Sequence, residues 1–275
     1  MVAEKICRLN EKMMDMDVEK AAIDCHVHVT PDGKWFDTDI DASLERLLEE
    51  LSDSFIQKVI LLPVGKDKEE LTKATIFTAS LINRYPDNLS GFSAYWPGLE
   101  VDQVIENKLI GIKIHPRLNK FDILSNDLFT FYEAVERKGL PIIFDSYCTP
   151  ISDMPLEQIR PHVYSKIAAA FPSLKIILAH CGMPFVWEAY TILEWYENVF
   201  ADLSHVLQYF KGTSLVGDLA WAVRKITHKF IYGSDFPEMG VNNYFEEFEG
   251  FCKIYNISSI EVMRNFYRVI SMLLD

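Results

Sequence analysis

The sequence predicts an α/β fold, a single TIM-type (β/α)8 barrel, on three observations. Eight short apolar, β-branched runs recur along the chain, the stretches between them carry helical spacing, and the histidines gather where the runs end. Strict alternation of strand and helix implies parallel strands joined by crossovers, for which a closed barrel is the simplest solution. A doubly wound open sheet has the same periodicity. At 275 residues the chain lies within the range of one such barrel, so residues 1–275 are expected to form one domain.

The runs are 21–29 (AAIDCHVHV), 57–64 (QKVILLPV), 89–95 (LSGFSAY), 110–115 (IGIKIH), 140–146 (LPIIFDS), 174–180 (LKIILAH), 198–204 (NVFADLS) and 229–235 (KFIYGSD). Leu44, Leu47, Leu48 and Leu51 in the first gap, and Leu215, Leu219, Ala222 and Ile226 in the last, fall on one face of a helix. Asn126 opens a helix that ends near Gly139, and Pro86 and Pro172 close two others just before a strand. Residues 1–20 are expected to form an N-terminal helix packed across the barrel floor. The longest irregular connection, 30–40 (TPDGKWFDTDI), directly follows the first strand. Barrels keep their active-site loops there, which makes it the candidate lid or specificity loop.

A net charge of −13 gives a field that repels phosphate backbones and anionic lipid heads. Neither nucleic acid nor a membrane is therefore expected as a partner. The first twenty residues mix charges with apolar positions and hold no apolar core of a signal peptide, so the expected location is cytoplasmic. A small-molecule substrate is the expected partner, and a homodimer is compatible with the sequence. The five cysteines show no CxxC pair and are expected to be reduced thiols. Cys25 and Cys181 each adjoin a histidine, but strand neighbours point to opposite faces, so packing is their expected role.

Active sites of β/α barrels lie at the C-terminal ends of the strands. His26, His28, His115, His180 and His205, five of the seven histidines, fall there or immediately after. His26 and His28 lie two apart on the first strand, which aims both imidazoles into the barrel mouth, where they can converge on one ion. Asp24, one step deeper, is expected to support an imidazole. Asp235 closes the last strand and faces the first across the seam. It can bind the same ion and take a proton from water, or cap the following segment. His180 emerges from an apolar strand, placed to ligate, polarise a carbonyl or stabilise an oxyanion. Lys113 and His115 share a face of the fourth strand. Arg117 and Tyr147, just past the fourth and fifth, are candidate contacts for a carboxylate or carbonyl, with exposed loop positions the alternative.

The series DCHVH, GIKIHP, LPIIFD, IILAHCG, FADLS and YGSDFP resembles the amidohydrolase superfamily, closest to its amidohydrolase 2 branch of metal-dependent hydrolases, lactonases and non-oxidative decarboxylases. The resemblance covers roughly residues 20 to 240. It implies that His26, His28 and Asp235 are metal ligands, that Asp235 is also the general base, and that His180 contacts metal or substrate. Most metal-binding relatives carry a histidine where this chain has Asp145. An aspartate there can still ligate, and the departure bears on which metal is bound and on whether one is bound at all. Some amidohydrolases carry a carboxylated lysine at the position of Lys113; the KxHP form here looks like that of the mononuclear branch, in which charge pairing with Asp145 or Asp235 is the expected job and His115 is a substrate contact.

The expected function is hydrolysis of a small amide, ester or lactone. One divalent metal, zinc first and manganese or iron next, would activate the water. Non-oxidative decarboxylation on the same site, a metal-free lactonase and a non-catalytic binding barrel are the alternatives.

Overall fold

The computed structural model describes residues 22–149 and 154–271. The N-terminal helix expected over 1–20 lies outside the described residues. Nine named strands are all parallel: β1 (Ala22–Val27), β2 (Ile56–Leu61), β3 (Leu89–Gly91), β4 (Ser93–Ala94), β5 (Ile112–Ile114), β6 (Ile142–Asp145), β7 (Ile176–Ala179), β8 (Val199–Asp202) and β9 (Phe230–Ile231). They occupy eight barrel positions, because β3 and β4 are two halves of the third run, divided at Phe92. Its lower half pairs with β2 and its upper half with β5, and Phe92 N donating to Leu61 O (2.9 Å) carries the ladder between them. The seam between last and first strands is bonded too. Cys25 N donates to Tyr232 O (3.1 Å), Asp235 N to His26 O (2.9 Å) and His28 N to Phe236 O (2.8 Å).

Helices follow the strands with legible local causes. The Ser43 hydroxyl caps Leu44–Ser52 by accepting from Arg46 N, and the Asp67 carboxylate caps Lys68–Arg84 through Glu70 N. Ser125, rather than Asn126, is the cap of Asn126–Arg137, and Gly139, at φ 67°, turns the chain out of that helix.

Two buried clusters separate the faces of the sheet. Ile112, Ile114, Ile142, Phe144, Ile176 and Leu178 face the helices. Ile23, Ile60, Phe92, Ile143, Ile177, Phe200 and Ile231 fill the barrel interior, joined by Phe266, Val269 and Ile270 of the helix Ser259–Ser271. The described helix that plugs this core is thus the C-terminal one.

Cys25 packs in the interior cluster with Ile23 two residues before it, and the departure from strict alternation is that its neighbour His26 also reaches the barrel mouth. The β1–β2 register shifts between Asp24 and Val27, where three steps on β1 oppose two on β2. One extra residue of this kind lets the backbone re-aim side chains, so Cys25 belongs to the inner core while His26 and His28 still reach the mouth. Cys181 packs with the outer cluster, as expected.

Gly111 shows how tightly the interior is filled, since a Cβ there would lie 2.5 Å from the Phe92 ring. Gly111→Ala is expected to cost about 1–3 kcal/mol by overpacking. Thermal unfolding of the two proteins side by side measures it, with an unchanged midpoint as the contrary result.

Candidate active site and metal centre

At the end of β1 the two imidazoles stand edge to face, their ring centroids 4.9 Å apart, with His26 fully buried and His28 nearly so. Their outer nitrogens are committed. His28 Nδ1 lies 2.6 Å from Leu62 O, and a carbonyl only accepts, so that nitrogen carries the proton. His26 Nδ1 lies 2.9 Å from Asp202 Oδ2. Burial raises the Asp202 pKa, but His26 and then His180 outweigh it and hold this carboxyl below the usual range, so it accepts as well. Burial, then Lys113, push the His26 pKa down to about 3, which leaves its ring neutral.

In rings that carry their one proton on Nδ1, the Nε2 atoms are bare. They face each other at 3.1 Å, and each is 3.5 Å from Asp235 Oδ1. Asp235 is ionised, because His180 first, then His205, overcome the effect of burial. Three lone-pair atoms at these separations form the face of a coordination polyhedron, since tetrahedral bonds of about 2.1 Å give edges of about 3.4 Å. The donor set therefore fits a divalent ion.

Asp145 lies outside that group of atoms. Its Oδ2 is 3.2 Å from His115 Nε2 and 3.5 Å from His180 Nε2, and its Oδ1 is 3.5 Å from Arg117 Nε. Burial alone would raise its pKa, but His115, His180 and Arg117 hold it well below the carboxylate range. The structure thus places this carboxylate among cations and imidazoles, away from the three lone-pair atoms. His180, also expected as a ligand, has its ring nitrogens occupied: Nε2 faces Asp145 and Nδ1 lies 3.1 Å from Ser204 O. Burial opposes its charge, yet Asp235 and then Asp145 raise its pKa to about 9.

His115, expected as a substrate contact, has partners in the fold for both of its nitrogens. Nδ1 accepts from Leu118 N (3.2 Å), capping the turn Pro116–Asn119, so Nε2 carries the proton toward Asp145. Arg117 donates to Thr149 Oγ1 (2.7 Å) and its guanidinium lies 5.2 Å from the Tyr147 ring centre. Tyr147 in turn packs against His180 and His205, walling the site. Lys113 is buried with Nζ 3.4 Å from His26 Nε2, and burial lowers its pKa against the pull of Asp145, Asp202 and Asp235. Asp24 does not support an imidazole. Its Oδ1 accepts from His26 N (3.0 Å) and Ser234 N (2.9 Å), fastening the barrel seam.

Three contributors were not singled out from sequence. Asp202 orients His26, with FADLS as its only signal. His205, counted among the strand-end histidines without a role, puts Nδ1 3.3 Å from Asp235 Oδ2. Trp35 stacks on His28 at 5.0 Å and donates from Nε1 to Glu238 Oε1 (2.8 Å), so the loop after β1 does lie over the site. Gly233 has a steric reason to be glycine, because a Cβ would sit 2.7 Å from that of His26.

A parallel barrel with two imidazoles and a carboxylate converging at its mouth is an α/β barrel whose donor set can hold a divalent ion. The chain belongs to the amidohydrolase family, whose model matches residues 23–255. No curated protein matches it in sequence. Among solved structures it is similar to an uncharacterized TIM-barrel protein from Bordetella bronchiseptica, with TM-score 0.76 and 14% identity, covering 93% of this chain and 100% of that one. It is also similar to a probable 2-pyrone-4,6-dicarboxylic acid hydrolase from Acinetobacter baumannii, with TM-score 0.67 and 15% identity over 91% and 99% of the two chains. A dihydroxybenzoic acid decarboxylase from Polaromonas sp. JS666 with bound manganese is similar at TM-score 0.68 and 16% identity, over 92% and 96%. These likenesses establish the fold. Among the described residues, no helix is long and apolar enough to cross a membrane.

The geometry separates two carboxylates by experiment. Asp202→Asn should lower affinity for a divalent ion by about 10- to 100-fold, because the amide no longer fixes the His26 proton. Asp145→Asn should keep wild-type metal content while slowing turnover. Elemental analysis of the three proteins after identical dialysis checks both, and metal loss in Asp145→Asn would return that residue to the ligand set.

Proposed function

We propose that this enzyme hydrolyses a small amide, ester or lactone with the help of one divalent ion held by His26, His28 and Asp235. The observation that carries the proposal is the pair of Nε2 atoms turned toward each other and toward a carboxylate. When bound there, the ion supplies Lewis acidity that brings the pKa of water toward neutrality. Zinc is the first choice for two imidazoles and a carboxylate, with manganese or iron next.

Asp235 is suited to be the base, since Oδ1 borders the ion's place and Oδ2 faces His205. It receives the proton of the attacking water. His180, kept protonated between Asp145 and the Ser204 carbonyl, stabilises the oxyanion that develops at the substrate carbonyl. Trp35 and Tyr147 flank the mouth and limit water around a bound substrate. The four described cysteines are buried and unpaired, which supports the cytoplasm as the compartment.

The test is turnover of ester, lactone and amide panels by wild type and Asp235→Asn, with metal content measured on the same samples. Asp235→Asn should lose turnover more completely than it loses metal, because an amide oxygen still ligates weakly but cannot accept a proton near neutral pH. Equal loss of both makes Asp235 a ligand only. Activity that survives a chelator in metal-free protein replaces this mechanism with that of a metal-free lactonase, and carbon dioxide release from unsaturated or aromatic acids replaces it with decarboxylation.

A further inference from the structure

We propose that a second divalent cation binds at the barrel mouth between His205, Asp235 and Glu238, sharing the Asp235 carboxylate with the ion held by His26 and His28. This rests on the first ion proposed above.

The three side chains come from the segments that follow β8 and β9, and their ligand-type atoms all lie within 4.8 Å of one another. His205 Nδ1 is 3.3 Å from Asp235 Oδ2 and 3.5 Å from Glu238 Oε2. His205 Nδ1 is within hydrogen-bond reach of Asp235 Oδ2, yet one N–H cannot serve both carboxylates at once. Separations of 3.3 and 3.5 Å also match the edges of a polyhedron with bonds of about 2.1 Å. The carboxylate of Asp235 divides evenly, with Oδ1 toward the first group and Oδ2 toward the second.

Glu238 is aimed rather than free. Trp35 Nε1 donates to its Oε1 at 2.8 Å, which leaves Oε2 turned to His205. The two groups also differ in access. The His205 and Glu238 side chains are 21% and 39% exposed, whereas that of His26 is fully buried, so a cation reaches the outer place from solvent. One imidazole and two carboxylates make a harder donor set than two imidazoles and one carboxylate, which suits manganese or magnesium over zinc. Lys113 stands on the His26 side and takes no part, so the second place needs no modified lysine.

The probe is Mn2+ alone, titrated into the full chain after removal of metal, with bound ions counted by elemental analysis and followed by electron paramagnetic resonance. The wild type should bind two ions, with the spectrum broadened by coupling through the shared carboxylate. Glu238→Gln and His205→Gln should each bind one and show the resolved hyperfine lines of isolated ions. Trp35→Phe, which keeps the ring over His28 but removes the N–H from Glu238, should weaken the second ion about tenfold and leave the first unchanged. Matched circular dichroism confirms that each variant is folded. One isolated ion in the wild type, lost in His26→Ala, overturns the second place and leaves the proposed function standing. Two ions retained in both Glu238→Gln and His205→Gln overturn it as well, while a wild type that binds no ion overturns both proposals.

Discussion

Buried at the end of β8, the Asp202 carboxylate accepts from His26 Nδ1 on Oδ2, while Oδ1 accepts from the His180 amide and from the amide and hydroxyl of Ser204. Everything at the mouth depends on that first bond. Were Nδ1 bare, the proton would move to Nε2, and the face that His26, His28 and Asp235 present to one another would close as an ordinary hydrogen bond. An aspartate at this place thus fixes the tautomer of His26, and it does so from a strand far away in sequence. The Leu62 carbonyl does the same for His28 without any charge.

Aiming these groups carries a backbone cost. His180, Cys181, His205 and Asp235 all lie in the left-handed region, with φ of 58°, 49°, 62° and 76°. Each such residue costs on the order of 1–3 kcal/mol and persists only where its surroundings over-determine it. Here the surroundings are strand ends held by ladder bonds and carboxylates that grip the residues on both sides. The strain is spent on turning side chains at the strand ends across the mouth, so that His205 and Asp235 meet each other from adjacent strands.

Much of this was legible in the sequence, because burial on both faces of a parallel sheet writes itself as apolar runs. All eight barrel positions fall where those runs lie. The break at Phe92 and the extra residue near Cys25 were not legible, since both depend on what the neighbouring strand offers and not on the residues themselves. The site shows the same division. His26, His28 and Asp235 were marked by spacing and by the seam, and the structure brings them together. Asp145 sits at a position where relatives ligate, but whether it does so depends on what faces it, and His115, His180 and Arg117 face it here. Asp202 carried no local signal, because nothing in FADLS says which imidazole it will meet.

The interior core is completed by Phe266, Val269 and Ile270, residues that follow every described strand. During synthesis the barrel wall therefore emerges whole before its floor does. Until the helix Ser259–Ser271 arrives, Ile23, Phe92, Phe200 and their neighbours lack the apolar cover that Phe266, Val269 and Ile270 give them, and uncovered apolar surface makes a nascent chain prone to associate with others. The order of the elements makes the last described helix a lock on folding, so that His26 and His28 on the first described strand gain their full support only when that helix has docked.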